Sequence, residues 1–154
     1  MHSMATIQDF LAQKRIAVVG VSHNPKDFSR GLLRALLERG YDAVAVNPEL
    51  NVADGVRCFP RLGDIQPRVD GALLMTSPAV TDQVVRECAE LGIPRVWMHR
   101  ASGKGAVSSQ AVDFCKEHGI AVVAGECPYM FFPHEQWFHR FHGFVRKITG
   151  AYPA

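Results

Sequence analysis

Nowhere in this 154-residue sequence do apolar residues run for the ~20 positions that a membrane-spanning helix needs. The opening Met1-His2-Ser3-Met4 carries neither the charged nor the apolar segment of a secretory signal, so the expectation is a cytoplasmic protein. Cysteine is sparse and scattered: Cys58, Cys88, Cys115 and Cys127 form no C-x-x-C pair. That argues against a zinc site or a redox dithiol and for reduced thiols. An excess of one charge is missing too. Seventeen Lys and Arg against fifteen Asp and Glu leave a net charge of +2, too little for a nucleic-acid binder. The G-x-S-x-G elbow, the G-x-x-x-x-G-K-[ST] loop and the H-E-x-x-H pair are all absent. His139 and His142 stand three residues apart but lack a third ligand type nearby, so they read as surface residues and not as a metal site.

What remains is a chain of alternating strand and helix signals with no repeat, low-complexity segment or linker. Its length suits one domain, able to bury about 70% of the surface that the unfolded chain exposes. Thr6 is placed to cap a short helix through Gln13. Ile16-Ala17-Val18-Val19 then reads as a buried strand, followed by a turn and an amphipathic helix with Leu32, Leu33, Leu36 and Leu37 on one face, closed by Gly40. Ala43-Val44-Ala45-Val46 is the next strand. An irregular stretch over residues 47–69 follows, with Val56-Arg57-Cys58 as a short added strand. Gly71-Ala72-Leu73-Leu74-Met75 is apolar throughout, as for a strand covered on both faces. Ser77 and Pro78 form a helix start, with Val80, Val84, Cys88 and Leu91 as its buried stripe and Gly92 as its stop. A strand over residues 94–98, a helix opened by Ser108 or Ser109 and closed by Gly119, and a last strand over residues 120–124 complete the pattern. Regular alternation with short loops predicts an α/β domain whose parallel sheet carries helices on both faces.

In such a sheet ligands gather beyond the carboxyl ends of the strands. Those ends are Gly20 to Pro25, Asn47-Pro48, Thr76-Ser77-Pro78, His99-Arg100 and Glu126-Cys127-Pro128. Gly20, Val21 and Ser22 can offer amides and a hydroxyl to a phosphate at the start of a helix. Lys26, Ser29 and Arg30, in the first turns that follow, add charge and a hydroxyl. Each glycine or serine taken alone is equally well explained as plain turn chemistry. Two features argue against NAD. Ser22 stands where G-x-G-x-x-G needs its second glycine, and Asn47 stands where an acid would hold the ribose.

Gly20-Val21-Ser22-x-x-Pro25, Val46-Asn47-Pro48, the Ser77-Pro78 helix start, Val96-Trp97-Met98 and Cys127-Pro128 together resemble the small stand-alone CoA-binding proteins. That family is similar to the CoA-binding domain of the alpha subunit of succinyl-CoA synthetase. The resemblance covers about residues 10–130. It implies a Rossmann-like fold and coenzyme A or an acyl-CoA as ligand. It further implies that Gly20, Val21 and Ser22 cradle the phosphates, that Asn47 and Pro48 border the nucleotide, and that Thr76, Ser77 and Pro78 line the pantetheine path. The family usually has a Gln followed two residues later by Gly where this chain has His99-Arg100-Ala101. His99 is read either as a ligand-lining or structural histidine or as a general base, and Cys127 either as a packing residue or as a thiol near the ligand's own. Glu126 is read as a salt-bridge partner or a catalytic residue.

The expected organisation is a CoA-binding domain over residues 1–133 and an extension over residues 134–154. In that extension Trp137, Phe138, Phe141, Phe144, Val145 and Ile148 recur at helical spacing, opposite His139, Arg140, His142, Arg146 and Lys147. The pattern predicts an amphipathic helix packed on the sheet or on a second subunit, which would make a homodimer. The leading functional expectation is a non-catalytic carrier, sensor or regulator. The alternatives are a CoA-binding component of an acyl-CoA ligase or transferase and an NADP-binding redox sensor, with Lys26 or Arg30 on the extra phosphate.

Overall fold

The computed structural model describes residues 3–100 and 105–132. The extension over residues 134–154, with its predicted aromatic helix, lies outside the described residues. Seven strands form one sheet in the order β3-β4-β2-β1-β5-β6-β7. They are β1 (Arg15–Val19), β2 (Asp42–Val46), β3 (Val52–Ala53), β4 (Val56–Phe59), β5 (Gly71–Leu74), β6 (Arg95–His99) and β7 (Ala121–Glu126). Every pairing is parallel except β3 with β4, an antiparallel hairpin at one edge. This is the parallel α/β sheet that the alternating pattern predicts and the Rossmann-like fold that the resemblance implies, with one antiparallel strand added.

The central strands are buried on both faces, which is why they read as unbroken apolar runs. Helices α1 (Met4–Leu11) and α2 (Phe28–Glu38) cover one face, α3 (Pro78–Leu91) and α4 (Ser109–Glu117) the other. On the first face Ile7, Phe10, Leu32, Leu33 and Leu36 pack with Ile16, Val18, Leu73 and Trp97. On the second, Val84, Val85, Cys88, Ala111 and Cys115 pack with Val19, Val46, Leu74 and Met98. Burial pushes the Cys88 and Cys115 thiols up to about 12, so both stay protonated as small apolar side chains.

Three local details differ from the sequence reading. Ser3 caps α1, its hydroxyl accepting from the Thr6 amide, so the cap lies three residues earlier than Thr6. In α3 Val80 is exposed and Thr81 is buried, because the Thr81 hydroxyl pairs with that of Thr76 at 2.7 Å and is thereby satisfied inside. The stretch over residues 47–69 contains the hairpin, whose tip places Asp54 and Gly55 both at positive φ. That is the backbone a two-residue hairpin turn requires. The signals that did hold include Ser77 as N-cap with Pro78 in the first turn of α3, and Gly92 in the left-handed conformation at its end.

Candidate functional site

The parallel strands finish level with one another. Val19 pairs with Val46 on one side and Leu74 on the other, Leu74 with Met98, and Met98 with Ala124. An irregularity between Met98 and His99 then sets His99 opposite Glu126. Beyond this common edge the structure brings together Gly20, Asn47, Thr76, His99 and Cys127, one from each of five adjacent strand ends. β1 sends its helix to one face of the sheet and β5 sends its helix to the other, so a crevice opens between them.

The turn after β1 is held from several sides. The Gly20 amide donates to Val46 at 3.1 Å, and the Met75 amide donates to Val19 at 2.8 Å. Gly20 has φ +93, and a Cβ there would sit 2.8 Å from the Met75 carbonyl oxygen, so only glycine fits. Val21 buries its side chain in the core beside α2. Its amide finds no acceptor among the described residues. The Ser22 amide, by contrast, is taken by the Ser29 hydroxyl at 2.9 Å, and the Ser22 hydroxyl accepts from the Asn24 amide at 3.0 Å. Asp27 caps α2 and also accepts from the Ser29 hydroxyl at 2.6 Å, bonds that hold its carboxyl below the ordinary value.

Charge divides in an unexpected way. Lys26 is exposed beside the turn with Pro25. Arg30 is buried, and its guanidinium binds Asp54 at 2.8 Å and the carbonyls of Ser22 and His23 at 3.2 and 3.3 Å. Arg30 therefore sits behind the turn and not over its mouth. Asp54 and Arg34, which bind each other at 3.1 Å, were missed in the sequence. The signal that could have found Asp54 is the Asp-Gly hairpin pair at residues 54 and 55.

Asn47 joins β2 to the same turn. Its Nδ2 donates to the Val21 carbonyl at 2.6 Å, and its Oδ1 accepts from the Glu49 amide at 2.6 Å. Pro48 is exposed next to it. An aspartate at position 47 would set a carboxylate oxygen against the Val21 carbonyl, with no donor between two acceptors. Asn47→Asp is expected to destabilise the protein by about 1–3 kcal/mol and to lower its melting temperature by several degrees. Thermal unfolding measures this, and an unchanged melting temperature would show that the amide plays no part in pinning the turn.

At the far end of the crevice His99 is buried, its ring 5.1 Å from that of Phe28, which in turn meets Tyr129 edge-on at 5.6 Å. Burial lowers the His99 pKa, favouring the neutral ring, and its Nε2 has no hydrogen-bond partner among the described residues. A buried polar atom without a partner is costly. Cys127 follows β7, also buried, and burial raises its thiol against a weaker opposing hydrogen bond from the Tyr129 backbone. A protonated, covered thiol is a poor nucleophile. On the other side of the sheet a cavity of about 400 Å³ opens between Pro78, Arg100, Val107 and the first residues of α4. Thr76 is half-buried and Ser77 is exposed. No cluster of three or more metal-binding side chains exists among the described residues.

Comparisons with known proteins bear on the same stretch of chain. Residues 14–133 match the model of a family described as a CoA binding domain. Uncharacterized protein YneT of Bacillus subtilis is 31% identical over 126 residues, covering 81% of this chain and 90% of its own. An ADP-forming acetate–CoA ligase II of Archaeoglobus fulgidus is 25% identical over 129 residues, which is 79% of this chain but 19% of the ligase. Among solved structures, a hypothetical protein from Pyrococcus horikoshii superposes with a TM-score of 0.75 at 28% identity, covering 82% of this chain and 87% of the other.

Proposed function

Given that this chain belongs to the CoA binding domain family, we propose that it holds coenzyme A or an acyl-CoA across its strand ends as a non-catalytic carrier, sensor or regulator. The observation that carries this reading is the pinned turn after β1, with its glycine against the Met75 carbonyl and its Val21 and His23 amides without acceptors among the described residues. That arrangement suits a diphosphate at the start of α2. The exposed Lys26 supplies the nearby positive charge, while Ser29 and Arg30 shape the turn from behind. Asn47 and Pro48 border the nucleotide, Thr76, Ser77 and Pro78 guide the uncharged arm, and His99 and Cys127 lie at its end. Asn47 is half-buried and already bonded to Val21, so it offers no acid to ribose hydroxyls. This favours coenzyme A over NAD.

Thermal unfolding with and without ligand tests the proposal. Coenzyme A at ~100 times its dissociation constant should add ~2.7 kcal/mol and raise the melting temperature, while NAD and NADP leave it unchanged. No shift at saturating coenzyme A, or a shift with NADP instead, would remove the reading.

The similarity to acetate–CoA ligases supports a second reading, in which the chain is the CoA-binding component of a larger acyl-CoA ligase or transferase. It spans about a fifth of the Archaeoglobus enzyme, so on this reading the rest of the chemistry lies outside these residues. Native mass spectrometry separates the two: a co-purifying subunit with CoA-dependent acyl transfer supports the second. A lone protein carrying coenzyme A supports the first, and the same spectrum reports whether the protein is a dimer.

A further inference from the structure

The hairpin between β3 and β4 lies outside the crevice, yet its tip reaches the back of the turn after β1. Asp54 is a non-glycine residue at φ +51, a conformation that aspartate tolerates more readily than most residues. Its carboxylate accepts from Arg30 Nε at 2.8 Å and from Arg34 at 3.1 Å. Arg30 is 7% exposed, and a guanidinium so far from water requires a counter-charge. Burial alone would raise the Asp54 carboxyl, but hydrogen bonds and charge from Arg30 and Arg34 outweigh it and keep the group ionised. With its Nε fixed on Asp54, the Arg30 guanidinium turns a terminal nitrogen to two successive carbonyls, those of Ser22 and His23.

In a planar trans peptide the carbonyl and the following N–H point in opposite directions. Drawing the Ser22 and His23 carbonyls onto Arg30 therefore turns the His23 and Asn24 amides away from it. The Asn24 amide is caught by the Ser22 hydroxyl. The His23 amide has no acceptor among the described residues and joins that of Val21 as a free donor. Of the two, His23 lies on the exposed side of the turn, and an unpaired amide just before a helix is a donor for an anion. We infer that Asp54 is a positioning residue for anion binding: the hairpin tip, acting mainly through Arg30, holds the turn after β1 with the His23 amide turned outward. The ligand part of this inference rests on the coenzyme A reading, whereas the part concerning the turn stands without it.

Asp54→Asn is the direct test, because asparagine accepts the left-handed backbone and removes only the charge. The expected result is a roughly tenfold weaker affinity for coenzyme A by calorimetry. In the ligand-free protein the His23 and Asn24 amide resonances should also shift. In an Arg30→Leu background the same substitution should change the affinity far less, since only Arg34, bound to the Pro25 carbonyl, then links Asp54 to the turn. A lower melting temperature with affinity within twofold and both amides unmoved would reduce Asp54 to a structural tie and overturn the inference. Equal losses with and without Arg30 would overturn it as well. If the unaltered protein binds no coenzyme A while Asp54→Asn still moves the two amides, the coenzyme A reading fails and the positioning role survives.

Discussion

Gly20→Ala should cost about 2–4 kcal/mol and abolish measurable coenzyme A binding. Two effects add. A non-glycine residue at φ +93 is strained by about 1–3 kcal/mol. The new Cβ would also stand 2.8 Å from the Met75 oxygen and 3.0 Å from its carbonyl carbon. Those atoms are backbone at the end of β5, and the Met75 amide is bonded to Val19, so neither side can yield alone. Relief requires β1 and β5 to part at the point where the crevice opens. The loss of affinity should therefore exceed what reduced stability explains, since the free amides move with the turn. Calorimetry at a temperature where the variant is fully folded separates the two. Wild-type affinity in a folded Gly20→Ala protein would show that the turn does not touch the ligand.

Trp97→Ala is expected to be the most destabilising single change in the core, by about 3–5 kcal/mol. Trp97 is fully buried, meets Phe10 edge-on at 5.4 Å and Phe131 at 6.1 Å, and donates its indole N–H to the Glu126 carbonyl at 2.9 Å. It thus ties α1, the end of β7 and the segment after it to the middle of the sheet. For a chain of this size the melting temperature should fall by roughly 10 °C. Trp97→Phe keeps most of the volume and loses the indole donor, so it should recover more than half of that loss. A loss under about 1 kcal/mol for the alanine variant would mean that the neighbouring rings collapse into the space.

Much of this architecture was legible because it is encoded locally. Val18 and Val19, Ala45 and Val46, and Leu73 and Leu74 sit in strands buried on both faces, so each run announces itself without its neighbours. Ser77 with Pro78 and Gly92 mark the two ends of α3 by rules that involve only adjacent residues. The features that escaped depend on partners distant in the chain. Arg30 looks like a phosphate-binding residue from its place at the start of α2, and only the arrival of Asp54, twenty-four positions later, turns it inward. Thr81 occupies the buried side of α3 because Thr76 lies across from it; a polar residue gives no hint of that alone. The cluster of Phe28, His99 and Tyr129 is assembled from the first residue of α2, the end of β6 and the segment after β7. No spacing rule connects those three positions.

Because β2, β1, β5, β6 and β7 stop at one level, their ends form a ruler. Four strand spacings separate Asn47 from Cys127, a span of about 19 Å. Anything that touches both must be long and thin, so a compact mononucleotide seated at Asn47 leaves the other end of the scale unread.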